Sequence, residues 1–195
     1  YNSTSTANST DGVTWSIATM PAVRSWKDVR YGDKWLAVTN TSTAATSTDG
    51  ITWTIRYTVN LSTGNGFDRI GYGNGKFVLP VWNSFSTSGV QYSTDGITWS
   101  VAVTPSPSQW EGHAYGAGVH VIVAGPPNPK VIYSTDAVTW TQTTLPNAVF
   151  KTVTSGNAKV AYGNGLFFMV ISASSYQMQY IATSTDGITW TQRTS

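Results

Sequence analysis

Carboxylates are scarce in this chain, and their positions define the acid–base chemistry that it could support. Glu111 is the single glutamate, and outside a motif that recurs five times the aspartates are Asp28, Asp33 and Asp68. Hydrolysis of a glycosidic bond needs two carboxylates that flank the bond. Asp28, Asp68 and Glu111 begin equivalent strands of a repeat and could converge for that purpose. Such a small inventory favours a non-catalytic protein, with glycoside hydrolysis as the lesser alternative.

Histidines and glycine-rich turns are weaker candidates for chemistry. His113 and His120 are the two histidines, and their alternation with apolar neighbours is typical of structural strand positions rather than of metal ligands or a catalytic base. Gly73-Asn-Gly75 and Gly163-Asn-Gly165 superficially match phosphate-binding loops, but a strand follows each of them instead of a helix. The chain contains no cysteine. We therefore expect neither a metal nor a cofactor.

The motif that organises the chain reads Ser-Thr-Asp-Gly-(Val/Ile)-Thr-Trp, with Ala137 replacing glycine in the fourth copy. Its aspartates are 38, 46, 41 and 50 residues apart, a period that suits one four-stranded sheet per repeat. Each carboxylate can accept hydrogen bonds from its own turn while the tryptophan packs beneath, so both residues have structural roles. The aspartate and tryptophan pairs are Asp11 and Trp15, Asp49 and Trp53, Asp95 and Trp99, Asp136 and Trp140, and Asp186 and Trp190.

A second element, centred on Tyr-Gly, recurs between these motifs. It reads Tyr31-Gly32, Tyr72-Gly73, Tyr115-Gly116 and Tyr162-Gly163, each between two β-prone segments. Asn74-Gly75 and Asn164-Gly165 are typical of the type I′ turn of a hairpin. Each repeat thus consists of strand A ending in Tyr-Gly, strand B, strand C entering the aspartate motif, and strand D carrying Thr-Trp.

These repeats predict an all-β protein, specifically a β-propeller of four-stranded antiparallel blades, with a solenoid as the structural rival. We expect a single domain over residues 1–195. Its half blade spans residues 1–24, and its blades span residues 25–60, 61–105, 106–147 and 148–195.

The sequence contains one A–B hairpin too few to complete a five-bladed ring. There are five C–D hairpins and four A–B hairpins, because no A–B pair precedes the first motif. We favour a five-bladed ring with one incomplete blade. The chain starts within a repeat, which is typical of a processed product or an excerpt, so about 25 further residues of a longer protein could supply the missing pair. Alternatively, another copy completes the blade by self-association, or four blades form the ring.

The aspartate motif resembles the Asp-box, also called the bacterial neuraminidase repeat (BNR repeat), of sialidases, related propellers, and phage tail-fibre and bacterial surface proteins. The resemblance covers essentially the whole chain. It implies a sialidase-like propeller with the boxes at its periphery, opposite the usual ligand site. A sialidase would also need an arginine triad and a glutamate-activated tyrosine. Arg56 and Arg193 instead follow Trp-Thr pairs on D strands, which suggests an outer-strand role.

Any ligand site is expected where the repeats differ most, in the B–C and D–A loops. These loops span residues 39–45, 82–89, 125–130 and 172–179 between strands B and C, and residues 57–66, 104–109 and 142–155 between strands D and A. Aromatic rings beside neutral polar groups suit sugars. The candidates for ligand binding are Trp26, Tyr57, Phe67, Trp82, Asn83, Phe85, Trp110, Glu111, Asn128 and Tyr176. Trp26, Phe67 and Trp110 occupy equivalent positions of the repeat, which favours inter-blade packing for these three over ligand binding.

The charged residues of the chain do not indicate a highly charged partner such as a nucleic acid. Asp, Glu, Lys and Arg make up 10% of the residues, the net charge is +2, and no basic run or membrane-spanning apolar stretch occurs. We expect no nucleic-acid binding and no membrane insertion. The expected function is non-catalytic, lectin-like recognition of a surface glycan or polysaccharide. The family resemblance implies an extracellular, cell-surface or virion location. A purely structural, self-assembling subunit is the alternative.

Overall fold

The fold consists of β-strands joined by turns and loops in every part of the chain that the structure describes. The structure, a computed structural model, describes residues 3–39, 43–57, 69–81, 89–146, 156–173 and 179–193. Within these ranges there are eighteen strands and no helix, so no described segment forms a membrane-spanning helix.

The strands form four consecutive four-stranded sheets and one two-stranded hairpin, all antiparallel. The N-terminal hairpin contains β1 (Ser3–Asn8) and β2 (Ser16–Arg24). Sheet 1 contains β3 (Trp26–Tyr31), β4 (Trp35–Thr39), β5 (Thr43–Ser47) and β6 (Thr54–Tyr57). Sheet 2 contains β7 (Gly71–Gly73), β8 (Lys76–Pro80), β9 (Val90–Ser93) and β10 (Ser100–Val101). Sheet 3 contains β11 (Trp110–Gly116), β12 (Val119–Ala124), β13 (Lys130–Ser134) and β14 (Thr141–Thr143). Sheet 4 contains β15 (Gly156–Gly163), β16 (Leu166–Ala173), β17 (Gln179–Ser184) and β18 (Thr191–Arg193).

Each sheet is a simple meander in which consecutive strands are neighbours. The prediction of an all-β chain with four-stranded antiparallel sheets is therefore confirmed. The predicted A–B turns are also present. Asn74 and Gly75 have φ values of 46° and 70°, and Asn164 and Gly165 have 50° and 75°. These left-handed values are the ones that a type I′ turn requires.

The outgoing D strands begin later than predicted. Thr54, Thr141 and Thr191 open β6, β14 and β18, each directly after the tryptophan of the motif. The threonine and tryptophan of the motif therefore lie in the turn rather than in the strand. The reason is that the aspartate holds the N–H groups of the two residues before the tryptophan, as described below, and so prolongs the turn.

The core lies between consecutive sheets. One cluster contains Phe77 and Leu79 of sheet 2 with Leu36 and Val38 of sheet 1. Equivalent clusters join sheets 2 and 3, and sheets 3 and 4. A smaller cluster around Met20 joins the N-terminal hairpin to sheet 1. The sheets therefore stack in the order in which they occur along the chain.

Candidate functional site

All five aspartate motifs build the same closed turn. The carboxylate Oδ1 accepts hydrogen bonds from the N–H groups two and three residues later, at 2.7 to 3.0 Å. The serine hydroxyl donates to the same oxygen at 2.8 to 2.9 Å. The N–H of Thr189 is the main reason that the pKa of Asp186 is lowered to about 2. These carboxylates are therefore ionised acceptors of hydrogen bonds from their own turns.

Ala137 keeps the turn geometry of the glycine that it replaces. Its φ is 62°, close to the 73° of Gly187 in the next motif, and its N–H still donates to Ser134 Oγ at 2.9 Å. A left-handed φ is unfavourable for a residue with a Cβ. The fourth motif therefore carries backbone strain instead of adopting another conformation, and the Ala137 methyl group is buried against Trp140 and its neighbours.

The Tyr-Gly element joins one sheet to the next. A Cβ added to Gly32 would come within 2.4 Å of the ring of Tyr72. In the same way, a Cβ added to Gly73 would be 2.1 Å from the ring of Tyr115, and a Cβ added to Gly116 would be 2.2 Å from the ring of Tyr162. None of these glycines has a positive φ. Glycine is needed at these positions for its size, because the tyrosine of the following sheet packs directly on the backbone.

Two of the three carboxylates considered for catalysis bind backbone instead. Asp28 Oδ2 accepts the N–H of Ile70 at 2.7 Å, and Glu111 Oε2 accepts the N–H of Ala158 at 2.5 Å. Each bond runs from the first strand of one sheet to the next sheet. Asp28 and Glu111 thus act on different neighbours, and Asp68 lies outside the described residues.

The two histidines form a pair inside sheet 3. His113 Nε2 and His120 Nδ1 are 3.0 Å apart, and His120 is fully buried. Tyr115 and Trp140 pack against the His120 ring, with centroid distances of 4.5 and 6.2 Å. Burial, and secondarily Lys76, lowers the pKa of His120 to about 4. Burial and the neighbouring His120 hold the pKa of His113 well below its usual value. In the described part of the chain, no cluster of three or more metal-ligating side chains occurs.

The sequence-predicted ligand residues are distributed between the surface and the sheet interfaces. Trp110 is 1% exposed and packs with Val78 and Val90 of the preceding sheet, and Glu111 is buried beside it. A ligand could reach these two side chains only by displacing protein. Trp26 is half-buried and donates to the carbonyl of Ala22 at 3.4 Å. Asn128 is exposed. The backbone of Tyr57 ends β6, but its side chain is not described, and Phe67, Trp82, Asn83, Phe85 and Tyr176 lie outside the described residues.

A small pocket forms between two of the variable loops. It has a volume of about 50 Å³ and lies between the loop that precedes sheet 3 and the loop that joins β12 to β13. Lys130 connects these loops by donating to Ser106 Oγ at 3.0 Å and to the carbonyl of Pro107 at 3.3 Å. Neutral polar groups of Ser108, Gln109 and Asn128 line the pocket together with three prolines, Pro107, Pro126 and Pro127.

A larger cleft separates the N-terminal hairpin from sheet 1. Its volume is about 280 Å³. Thr6 and Met20 line it on the side of the hairpin, and Trp26, Val29 and Trp53 line it on the side of sheet 1. Sequence reasoning placed Trp26 near a binding surface but did not anticipate a cleft at this junction.

The contacts that sequence reasoning missed have a recognisable signal. Glycine follows tyrosine in all four A–B hairpins although no turn geometry requires it there. A glycine that recurs without a positive φ indicates close approach of another group. No comparable signal marked Gly71, which makes room for the ring of His113.

Comparison with known proteins gives a fold but no family. No family model matches the chain, and no curated protein sequence matches it. Among solved structures, YCF48 bound to D1 peptide aligns with a TM-score of 0.60 and 15% identity, over 97% of this chain and 60% of that one. A Trypanosoma rangeli sialidase in complex with 2,3-difluorosialic acid aligns with a TM-score of 0.54 and 15% identity, over 97% and 40%. The GH43 protein BlXynB from Bacillus licheniformis, as its K247S mutant, aligns with 0.51 and 13%, over 87% and 41%. This chain thus spans between two fifths and three fifths of the length of these structures. At this identity the likeness is one of fold, and the fold is propeller-like.

Proposed function

We propose that the chain is a five-bladed propeller module with one incomplete blade, and that it recognises carbohydrate without catalysis through its variable loops. Sheets 1 to 4 are the complete blades in this proposal, and the N-terminal hairpin supplies strands C and D of the fifth. A cell-surface or virion location belongs to the same proposal. The repeats then provide a rigid support, and the loops provide specificity.

The observation that carries the proposal is the small pocket in which Ser108, Gln109 and Asn128 lie beside Pro107, Pro126 and Pro127. Its volume is only about 50 Å³. This space suits a single hydroxyl or hydroxymethyl group rather than a whole sugar ring. Neutral amide and hydroxyl groups can both donate to and accept from a sugar hydroxyl. The remainder of the glycan would then lie along the adjoining loops.

The use of the carboxylates supports a non-catalytic role. Asp28 and Glu111 each accept a backbone N–H from the next sheet. Asp33 is paired with its neighbour Lys34 at 3.4 Å. A glycosidase instead needs two carboxyl groups that face one bond. The structural neighbours include both a peptide-bound protein and a sialidase complex, so ligand recognition does occur on this fold.

A glycan array followed by titration of the best ligand tests the proposal. We expect saturable binding to one sugar class, and we expect Asn128→Ala and Gln109→Ala each to weaken it by about tenfold, roughly 1.4 kcal/mol for a lost hydrogen bond. Asn164→Gly is the matched control, because it removes an amide from an A–B turn where a positive φ suits glycine. A folded protein that binds no glycan, or one that binds equally well after both pocket substitutions, would overturn the proposal.

A further inference from the structure

The tyrosine-on-glycine contact that joins consecutive sheets is not made by Gly163 of sheet 4 or by Tyr31 of sheet 1. Gly32, Gly73 and Gly116 are each covered by a tyrosine of the following sheet, whereas a Cβ on Gly163 would meet none of the described residues within 4 Å. Conversely, Tyr31 of sheet 1 is 54% exposed. Sheet 4 thus offers an uncovered glycine, and sheet 1 offers a tyrosine whose ring is largely exposed.

The second strand of sheet 4 also has an exposed side chain at a position that is buried in the other sheets. In every sheet one residue of this strand pairs with the serine of the aspartate motif, and the next residue faces the following sheet. Those next residues are Leu36, Val78 and Val121 in sheets 1 to 3, and all are 0% exposed. The equivalent Phe168 in sheet 4 is 43% exposed. A large aromatic ring therefore occupies a position that is otherwise part of the core.

In the part of the chain that the structure describes, the tryptophan of the N-terminal hairpin has no covering partner. Trp190 packs against Phe167 of its own sheet, with ring centroids 6.4 Å apart, and Trp140 packs in the same way against His120. Both partners lie on the second strand of a sheet. Trp15 is 61% exposed, and in the described residues the only strand that pairs with β1 is β2. What the hairpin lacks is therefore the A–B strand pair.

We propose that the surface formed by Gly163, Phe168, Trp15 and Tyr31 binds a β-hairpin of the A–B type, whose first strand ends in Tyr-Gly. The proposal rests on the five-bladed arrangement, in which these unfilled positions face the same blade. The tyrosine of the incoming hairpin packs on Gly163, and its glycine lies under Tyr31. The residue of its second strand that is equivalent to Phe167 is aromatic and packs on Trp15, and that strand pairs with β1. The cleft of about 280 Å³ beside the N-terminal hairpin receives its side chains facing sheet 1.

A hairpin is the occupant that these observations favour, because each unfilled contact has a filled counterpart made by an A–B hairpin of this chain. Three copies of the tyrosine-on-glycine contact are already present, and the fourth would continue the same interface. Addition of strands to an open β-sheet edge combines backbone hydrogen bonds with side-chain pockets. Tyr31, Trp15 and Phe168 would supply those pockets.

Binding of a synthetic peptide with the sequence of residues 156–173 tests the proposal. This segment forms the β15–β16 hairpin and contains no tryptophan, so the tryptophan emission of the protein reports on docking. We expect saturable binding with a blue shift of the emission, and we expect Trp15→Phe to reduce the shift. A peptide with serine in place of Tyr162 should bind about tenfold more weakly or worse.

The Gly163→Val variant tests docking of the peptide without affecting folding of the protein. Its Cβ lies in open space, so the variant should fold with an unchanged Tm, yet the added side chain occupies the place of the incoming tyrosine. We expect it to reduce peptide affinity by about tenfold or more while glycan binding persists, which distinguishes this proposal from the one above. Absence of peptide binding, or equal binding by Gly163→Val, would overturn it. So would self-association without peptide that Gly163→Val abolishes, because a second copy would then be the occupant.

Discussion

The ring of Tyr115 lies directly on the backbone of Gly73, so closely that a Cβ at that glycine would be 2.1 Å from the ring. Gly73→Ala should therefore destabilise the protein by roughly 1 to 3 kcal/mol, because the two sheets must separate to admit a methyl group. Urea unfolding measures the change. Gly163→Ala is the matched control and should stay within about 0.5 kcal/mol of the wild type. Equal effects at the two glycines would contradict this packing.

The five tryptophans of the aspartate motifs should differ in energetic importance. Trp190 is 5% exposed and packs against Phe167, so Trp190→Ala should cost roughly 3 to 5 kcal/mol. Trp15 is mostly exposed, so Trp15→Ala should cost far less. Thermal unfolding of the two variants compares them. A large loss at Trp15 would indicate that its ring is covered.

The buried histidine pair predicts a loss of stability in mild acid. The pKa of His120 falls from its ordinary 6.5 to about 4 in the folded protein. Between these two values the unfolded chain binds the proton and the folded chain does not, so stability is complete above pH 6.5 and declines as the pH falls towards 4. The loss should be roughly 3 kcal/mol for this group. Urea midpoints across the range measure it.

The other sheets supply the control for this pH dependence. Val29 and Val160 occupy the position of His113, and Phe77 and Phe167 occupy that of His120. The double variant His113→Val with His120→Phe should therefore fold and lose the slope between pH 6.5 and 4. Lys76, Arg30 and Asp136 face the histidine pair, and all three are unchanged in the double variant. An unchanged slope would assign the titration to another group.

Ala117 offers a site for stabilisation. Its φ is 49°, and it occupies the turn position that Asn74 and Asn164 fill in sheets 2 and 4. Asparagine tolerates this conformation better than alanine does, so Ala117→Asn should stabilise the protein by roughly 0.5 to 1 kcal/mol. Asn164→Ala should have the opposite sign. Thermal shifts of both variants in the same direction would rule out backbone strain as the cause.

The sequence predicted the repeat correctly because its signals are local. Asn-Gly dipeptides identified the A–B turns, and the aspartate motif identified the C–D turns, since both act within a few residues. The roles of Asp28 and Glu111 could not be read in this way. Their partners, Ile70 and Ala158, are 42 and 47 residues away, and which backbone group a carboxylate meets depends on how the sheets stack.

The candidate site was predicted only in part. Asn128 lies in the small pocket between two variable loops, and Trp110 packs in the core between sheets, the role that its recurring position in the repeats favours. For an aromatic residue that does not recur, the sequence does not distinguish a ring that faces a neighbouring sheet from one that faces solvent. The ligand-binding roles of Trp82, Phe85 and Tyr176 stay predictions.

The carboxylate of Glu111 acts from sheet 3 on the first strand of sheet 4, and that of Asp28 acts from sheet 1 on Ile70, the residue before the first strand of sheet 2. Core clusters also join consecutive sheets, so within the described residues the energetics are close to those of a linear array. There, sheets 2 and 3 have partners on both sides, whereas the N-terminal hairpin packs on sheet 1 alone. Amide hydrogens should therefore exchange fastest in β1 and β2 and slowest in β8 and β12, which makes the middle of the chain its most persistent unit.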